Sequence, residues 1–254
     1  MLRRLVKCAL RFDDFQDYWL NKVQVHCLQY HLDNSIPASL AVIAGMLQSD
    51  LSVINTIKEG VKKRLFEVVC HGFKHEDFST LPYGEQVRLL SLSNERISGL
   101  FAVTPVTFTP PYYAFNTDTL RACEEVGYKY FASHISVDTP GKKNKLTHWP
   151  ATVDTAYVEN EKWILYPADK VIEELNASQD KYGYAVMTMH FAQFAKHLNA
   201  ERQNEVDPER FAVYEEVMKW LKLHGYFRQI KTLGVECWYP GCFLERLCLS
   251  KRSS

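Results

Sequence analysis

The hydrophobic pattern alternates two periods along the chain. Short apolar runs of strand length, such as Leu5 to Phe12, Ile36 to Ile43 and Leu65 to Cys70, are separated by stretches with helical spacing. Val53 to Lys63 and Tyr83 to Phe101 have that spacing. A short strand around Val106 to Phe108 precedes a helix from Thr117 to Val126, which Asn116 or Thr117 can cap and Gly127 can stop. A strand at Lys129 to Ser133 follows, and residues 136–163, with Pro140-Gly141 and little periodicity, read as a long irregular excursion. Beyond it the pattern predicts a helix at Ala168 to Lys181, a strand at Tyr184 to Met189, a helix at Pro208 to Leu223 and a strand at Phe227 to Ile230.

Repeated β-then-α units imply an α/β fold with a parallel sheet, closed into a barrel or doubly wound. In either form the chemistry lies beyond the carboxyl ends of the strands. Asp13-Asp14, His71, Pro110-Pro111-Tyr112 and His190 each fall at such an end.

At 254 residues, with 46% hydrophobic and 24% charged content, the chain suffices for one domain over 1–254, with 240–254 as a C-terminal tail. Thirty basic and thirty acidic residues leave no net field to attract nucleic acid. Arg11, Asp13 and Asp14 interrupt the amino-terminal apolar run before a signal-peptide core forms, and no run reaches a membrane span, so the expectation is a cytoplasmic protein. Seven cysteines without a Cys-x-x-Cys pair read as reduced, buried thiols, Cys70 beside His71 included. Cys237, Cys242 and Cys248 lack a convincing fourth ligand for a zinc knuckle, and the sequon at Asn176 matters only in a secreted chain.

One carboxylate and two imidazoles are a common ligand set for a catalytic zinc that keeps a position open. Asp13-Asp14 with His71 and His75 offer that set and a spare carboxylate for general-base work. Histidines four apart share one side of a helical turn, which is how this pair is expected to converge.

In motif order these residues resemble the polysaccharide deacetylases, the NodB-homology group of carbohydrate esterases. Phe12-Asp13-Asp14 resembles the first motif, His71 and His75 the second, Phe108-Thr109-Pro110-Pro111-Tyr112 the third, and Val186-Met187-Thr188-Met189-His190 the last. The resemblance implies a distorted (β/α) barrel of about seven parallel strands. It implies Asp13 as general base, Asp14, His71 and His75 as ligands of a divalent metal with zinc the leading candidate, the Tyr112 backbone amide as oxyanion donor, and His190 as general acid.

The third motif usually begins with an arginine paired to the base, and Thr109 stands there instead. On an extended strand Arg11 shares a face with Asp13 and can supply that cation, an arrangement similar to an uncharacterised bacterial branch of the superfamily. The fourth motif, an Asp that tunes the acid and a Trp in the pocket, has no clean match; Asp138, Trp149 and Asp154 lie in the right interval, with His134 and His148 nearby. Trp163 and Trp238 read as core aromatics.

The implied activity is removal of an acetyl group from an N-acetylated sugar or sugar conjugate through water activated by the metal. The alternatives are a metal-independent amidohydrolase acting on a small amide and a catalytically silent glycan-binding protein.

Overall fold

A computed structural model describes residues 5–48, 50–159, 162–199 and 201–234. Cys237, Trp238, Cys242, Cys248 and the 240–254 tail lie outside the described residues. The first half of the chain runs β1 (Val6–Phe15), α1 (Asn21–Asp33), β2 (Ala38–Val42), α2 (Leu51–Lys62), β3 (Phe66–Cys70), α3 (Tyr83–Phe101), β4 (Thr107–Phe108), α4 (Thr117–Val126) and β5 (Tyr130–Phe131). Five short strands follow: β6 (Gly141–Lys143), β7 (Leu146–His148), β8 (Val153–Asp154), β9 (Ala156–Glu159) and β10 (Lys162–Leu165). The chain then forms α5 (Ala168–Tyr182), β11 (Ala185–His190), β12 (Ala195–Leu198), β13 (Glu201–Val206), α6 (Pro208–His224) and β14 (Gly225–Arg228).

The main sheet has the order β6-β7-β5-β4-β3-β2-β1-β11-β8, with β14 also on β1. Only β6 runs antiparallel, which leaves nine parallel strands rather than about seven. Two causes raise the number. First, β14 shares β1 with β2, pairing Val6 to Ala9 while β2 pairs Arg11 to Phe15. Second, β7 and β8 are two ends of one extended stretch: it pairs with β5, bridges His134 through Ala151, and then pairs with β11. The sheet therefore curls until its two edges meet on residues 146–154, giving the distorted barrel.

Alternation along β1 explains the layering. Cys8, Leu10 and Phe12 join the large cluster formed with the helices, whereas Ala9 joins Ala132, Ala151 and Val186 in a second, smaller cluster that Tyr184, Ile230 and Leu233 complete. A two-residue period sends Arg11 to the same face as Ala9, and its guanidinium donates to the Ala132 and Ser133 carbonyls at 2.8 and 2.9 Å. In the same register Ser39 and Glu67 lie opposite one another on β2 and β3, and Glu67 accepts from the Ser39 and Thr107 hydroxyls at 2.7 and 2.6 Å.

α4 is bounded as its sequence predicts. Asn116 Oδ1 accepts from the Thr119 amide at 3.0 Å, and Gly127 ends the helix at φ 97, a left-handed value glycine adopts without a Cβ penalty. The 136–163 excursion is more ordered than its pattern implies: β6 and β7 form one hairpin, and β9 and β10 another. Neither α1 nor the β12–β13 hairpin was announced by the hydrophobic pattern. Cys8, Cys27, Cys70 and Cys123 are free and buried, and burial pushes the Cys70 thiol up to about 11. Among the described residues no helix is long and apolar enough to cross a membrane.

Candidate active site

At the carboxyl end of the barrel a cavity of about 590 Å³ is lined by Asp13, Asp14, His71, His75, Tyr112, Thr188 and His190, among others. How both aspartates reach it depends on a local irregularity. On a regular strand Asp13 and Asp14 would face opposite ways. Between Phe12 and Phe15 the register of β1 on β2 slips by one residue, three steps on β1 matching two on β2, and Asp14 takes φ 67. This bulge inserts the extra residue and turns Asp14 toward the cavity beside Asp13.

His71 directly follows β3, but the path to His75 is not a helical turn. The chain leaves the strand through Gly72 at φ 77 and reaches His75 at φ 65, while the Glu76 carboxylate accepts from the Phe73 and Lys74 amides at 3.0 and 2.9 Å. The positive φ is what this position requires of glycine, and a Cβ there would also come within 2.9 Å of Glu76 Oε2. Among the described residues ten non-glycine residues have positive φ, and Asp14, His75, Tyr112 and Tyr113 all line the cavity. Such strained conformations concentrate where the fold aims functional groups.

Asp14 Oδ1 lies 3.1 Å from His71 Nε2 and 3.0 Å from His75 Nε2, and the three donor atoms lie within 4.8 Å of one another. Burial works to raise the Asp14 pKa, but the bonds from His71 and His75 outweigh it and hold the carboxyl well below the usual carboxylate range. His71 Nδ1 bonds the Thr109 carbonyl at 2.8 Å, which assigns its proton to Nδ1 and leaves a lone pair on Nε2. That lone pair would face a carboxylate oxygen at 3.1 Å. Two acceptors stay this close only with a cation between them or a second proton on the ring. His71 is accordingly raised above its ordinary value: burial opposes its charged form, but the Asp14 bond and the Asp13 and Asp14 charges prevail. The donor set therefore fits a divalent metal.

Asp13 is buried and is gripped from below. Arg11 Nη2 donates to Asp13 Oδ2 at 2.9 Å and the Thr188 hydroxyl donates to the same oxygen at 3.2 Å, while Oδ1 has no hydrogen-bond partner among the described residues. Arg11 thus supplies the cation beside Asp13, and Thr109, which stands where the third motif would begin with arginine, contributes its backbone carbonyl to His71. His190 Nε2 lies 3.6 Å from Asp14 Oδ2, and burial lowers its pKa, with the Asp14 and Asp13 charges opposing. Tyr112, in the turn Pro111–Tyr113, has φ 56 and an exposed ring set edge-on against His75 at 4.4 Å between centroids.

The residues left open in the sequence separate clearly. Asp154 lines the cavity and bonds His134 at 3.1 Å. Asp138 is buried away from it, bonded to His148 at 2.8 Å and Lys143 at 2.5 Å, and Trp149 packs on Tyr184. Trp163 is a correction: it is not a core aromatic but a wall of the cavity, its ring 4.7 Å from that of His190. No spacing rule signals this, because the β9–β10 hairpin folds back over the barrel end. Arg210 holds it there by donating to the Trp163 carbonyl at 2.8 Å and to the Gln193 carbonyl at 3.2 Å.

A barrel with a carboxylate–imidazole cluster at its carboxyl end defines the class. Residues 6–131 match the family model for polysaccharide deacetylase. No curated protein matches the chain. Among solved structures, a protein assigned as a polysaccharide deacetylase from Mycobacterium smegmatis superposes with a TM-score of 0.65 at 18% identity, over 99% of this chain and 93% of that one. A family 4 acetyl xylan esterase from Clostridium thermocellum, in complex with a cobalt ion, gives 0.56 at 16% over 89% of each. A CE4 family pseudoenzyme from Bacillus anthracis gives 0.60 at 15%, over 91% of this chain and 66% of that one. The chain belongs to the polysaccharide deacetylase superfamily and has its NodB-homology fold.

Proposed function

We propose that this protein is a cytoplasmic, metal-dependent N-deacetylase that releases acetate from an N-acetylated sugar or sugar conjugate. The observation that carries the reading is the convergence of Asp14, His71 and His75 beside a buried Asp13 whose Oδ1 is unpartnered among the described residues. Asp14, His71 and His75 would hold the ion, zinc being the leading candidate, and when bound it supplies Lewis acidity to the acyl oxygen and to water.

The chain's own residues divide the remaining work. Asp13 takes the proton of the attacking water at Oδ1, while Arg11 and Thr188 fix Oδ2 and so fix the direction of the free oxygen. The Tyr112 backbone amide, aimed by its left-handed turn, donates to the oxyanion. His190 gives its proton to the departing amine, with the Trp163 ring against it excluding water. Positioned acids and bases of this kind each contribute about 10² to 10⁴ in rate. The missing third-motif arginine and the unmatched fourth motif favour the silent glycan binder, and the Arg11–Asp13 pair speaks against the first of these grounds.

The test is metal content followed by acetate release. Protein purified without a metal-binding tag should carry about one equivalent of metal, lost in Asp14→Asn, and should release acetate from N-acetylglucosamine oligomers until a chelator is added. Absence of metal from both proteins after incubation with zinc would refute the reading, and chelator-resistant hydrolysis of small amides would favour the metal-independent amidohydrolase.

A further inference from the structure

The mechanism above leaves one cavity carboxylate without a task. Asp154, in β8, lines the same space as Asp13 and His190 and is 41% exposed at its side chain. Among the described residues its ion-pair partner is His134, whose Nε2 lies 3.1 Å from Asp154 Oδ2. The ring is fixed in both tautomer and plane. Its Nδ1 accepts the Ser136 amide at 3.1 Å, so Nε2 carries the proton and donates to Asp154. Tyr113 stacks on the ring at 5.0 Å and 16°, and Arg11 lies 5.5 Å from the centroid of Tyr113 on the barrel side. One Asp154 oxygen is thus anchored, and among the described residues no hydrogen bond holds Oδ1 of this cavity-lining side chain.

Two residues further on, β9 begins and carries Tyr157, a cavity-lining ring 39% exposed and braced by Tyr166 at 5.2 Å and 29°. A fixed carboxylate acceptor beside a braced aromatic face matches a pyranose ring, which has donors at its edge and C–H bonds on its faces.

We propose that Asp154, oriented by His134, accepts hydrogen bonds from ring hydroxyls of the substrate sugar while Tyr157 packs on the ring's apolar face. This rests on the deacetylase reading and deepens it: the site selects a hydroxylated ring and discriminates against amides that lack one. Asp154 is in this account a specificity residue and does not act on the scissile amide.

The experiment compares N-acetylglucosamine with N-cyclohexylacetamide, a ring amide without hydroxyls, on wild-type metal-loaded protein and on Asp154→Asn. KM for N-acetylglucosamine should rise about 10- to 100-fold, the size of one lost charge-assisted hydrogen bond, with kcat falling far less and KM for the hydroxyl-free amide unmoved. Equal KM increases on both substrates, or none on either, would overturn the proposal. Should Asp154→Asn fail to fold, His134→Phe removes the orienting N–H, preserves a ring on Tyr113, and should produce the same split. If neither amide is hydrolysed by wild type, the deacetylase reading fails by itself, and equilibrium titration of N-acetylglucosamine decides this one. Binding weakened by Asp154→Asn upholds the subsite, whereas binding that is absent or indifferent to the substitution overturns it.

Discussion

Arg11 and Asp13 form an ion pair with both side chains shielded from water, and the arginine also satisfies two backbone carbonyls and Thr188. Removing one member of such a pair strands the other charge. Arg11→Met should therefore cost about 3–5 kcal/mol in denaturant unfolding and reduce deacetylation through misdirected Asp13. Arg11→Lys should not rescue fully, since one ammonium cannot span carboxylate, hydroxyl and two carbonyls as the planar fork does. Asp13→Asn separates chemistry from binding: acetate release should fall about 10² to 10⁴-fold while metal content, read by elemental analysis, stays at the wild-type level. Asp14→Asn should lose both.

At the scale of elements, α1 shows why a buried helix can be hard to read. Its core stripe contains Val23, Gln24, Cys27, Leu28, His31 and Leu32, a helical spacing interrupted by two polar residues. Both are satisfied inside: Gln24 donates to the Trp19 carbonyl at 3.0 Å, and His31 bonds the Ile36 carbonyl at 3.0 Å and the Tyr214 hydroxyl at 2.6 Å. Burial pushes His31 down to about 4, with the Lys222 charge adding and the Ile36 bond opposing. The folded state thus holds a neutral imidazole that the unfolded chain protonates near 6.5. Its contribution is fully present above about pH 6.5 and is lost as pH falls toward about 4, a span worth about 3 kcal/mol at 1.36 kcal/mol per pH unit. Denaturation midpoints over that range should fall in wild type and fall less in His31→Gln. In α2, Gly60 lies under Phe66, where a Cβ would come within 1.9 Å of the ring. Gly60→Ala should destabilise by about 1–3 kcal/mol through overpacking, despite alanine's better helix propensity.

For the whole molecule, the site is where three distant parts of the chain meet: the β1 bulge, the β3 loop and the end of β11. A ligand that binds only the folded arrangement stabilises all of it. At a free metal concentration of about 100 times Kd the gain is about 2.7 kcal/mol, equivalent to a thermal midpoint shift of about 5–10 °C for a chain of this size. Calorimetry with and without chelator should show that shift in wild type and none in Asp14→Asn.

The sequence by itself determined the alternation of strands and helices, the placement of Asp13, Asp14, His71 and His190 at strand ends, and the superfamily, because periodicity and motif order are local properties of the chain. Arg11 beside Asp13 was legible for the same reason, since two residues on a strand share a face. The tertiary structure alone decided the rest. The bulge that brings Asp14 to the side of Asp13 is a mismatch between two strands, and neither strand encodes it separately. His75 converges through left-handed backbone at Gly72 and His75 rather than through helical spacing. Trp163, Asp154 and His134 join the site only because residues 146–154 close the sheet and the β9–β10 hairpin folds over its end, and a closure between chain segments this far apart leaves no period in the sequence to read.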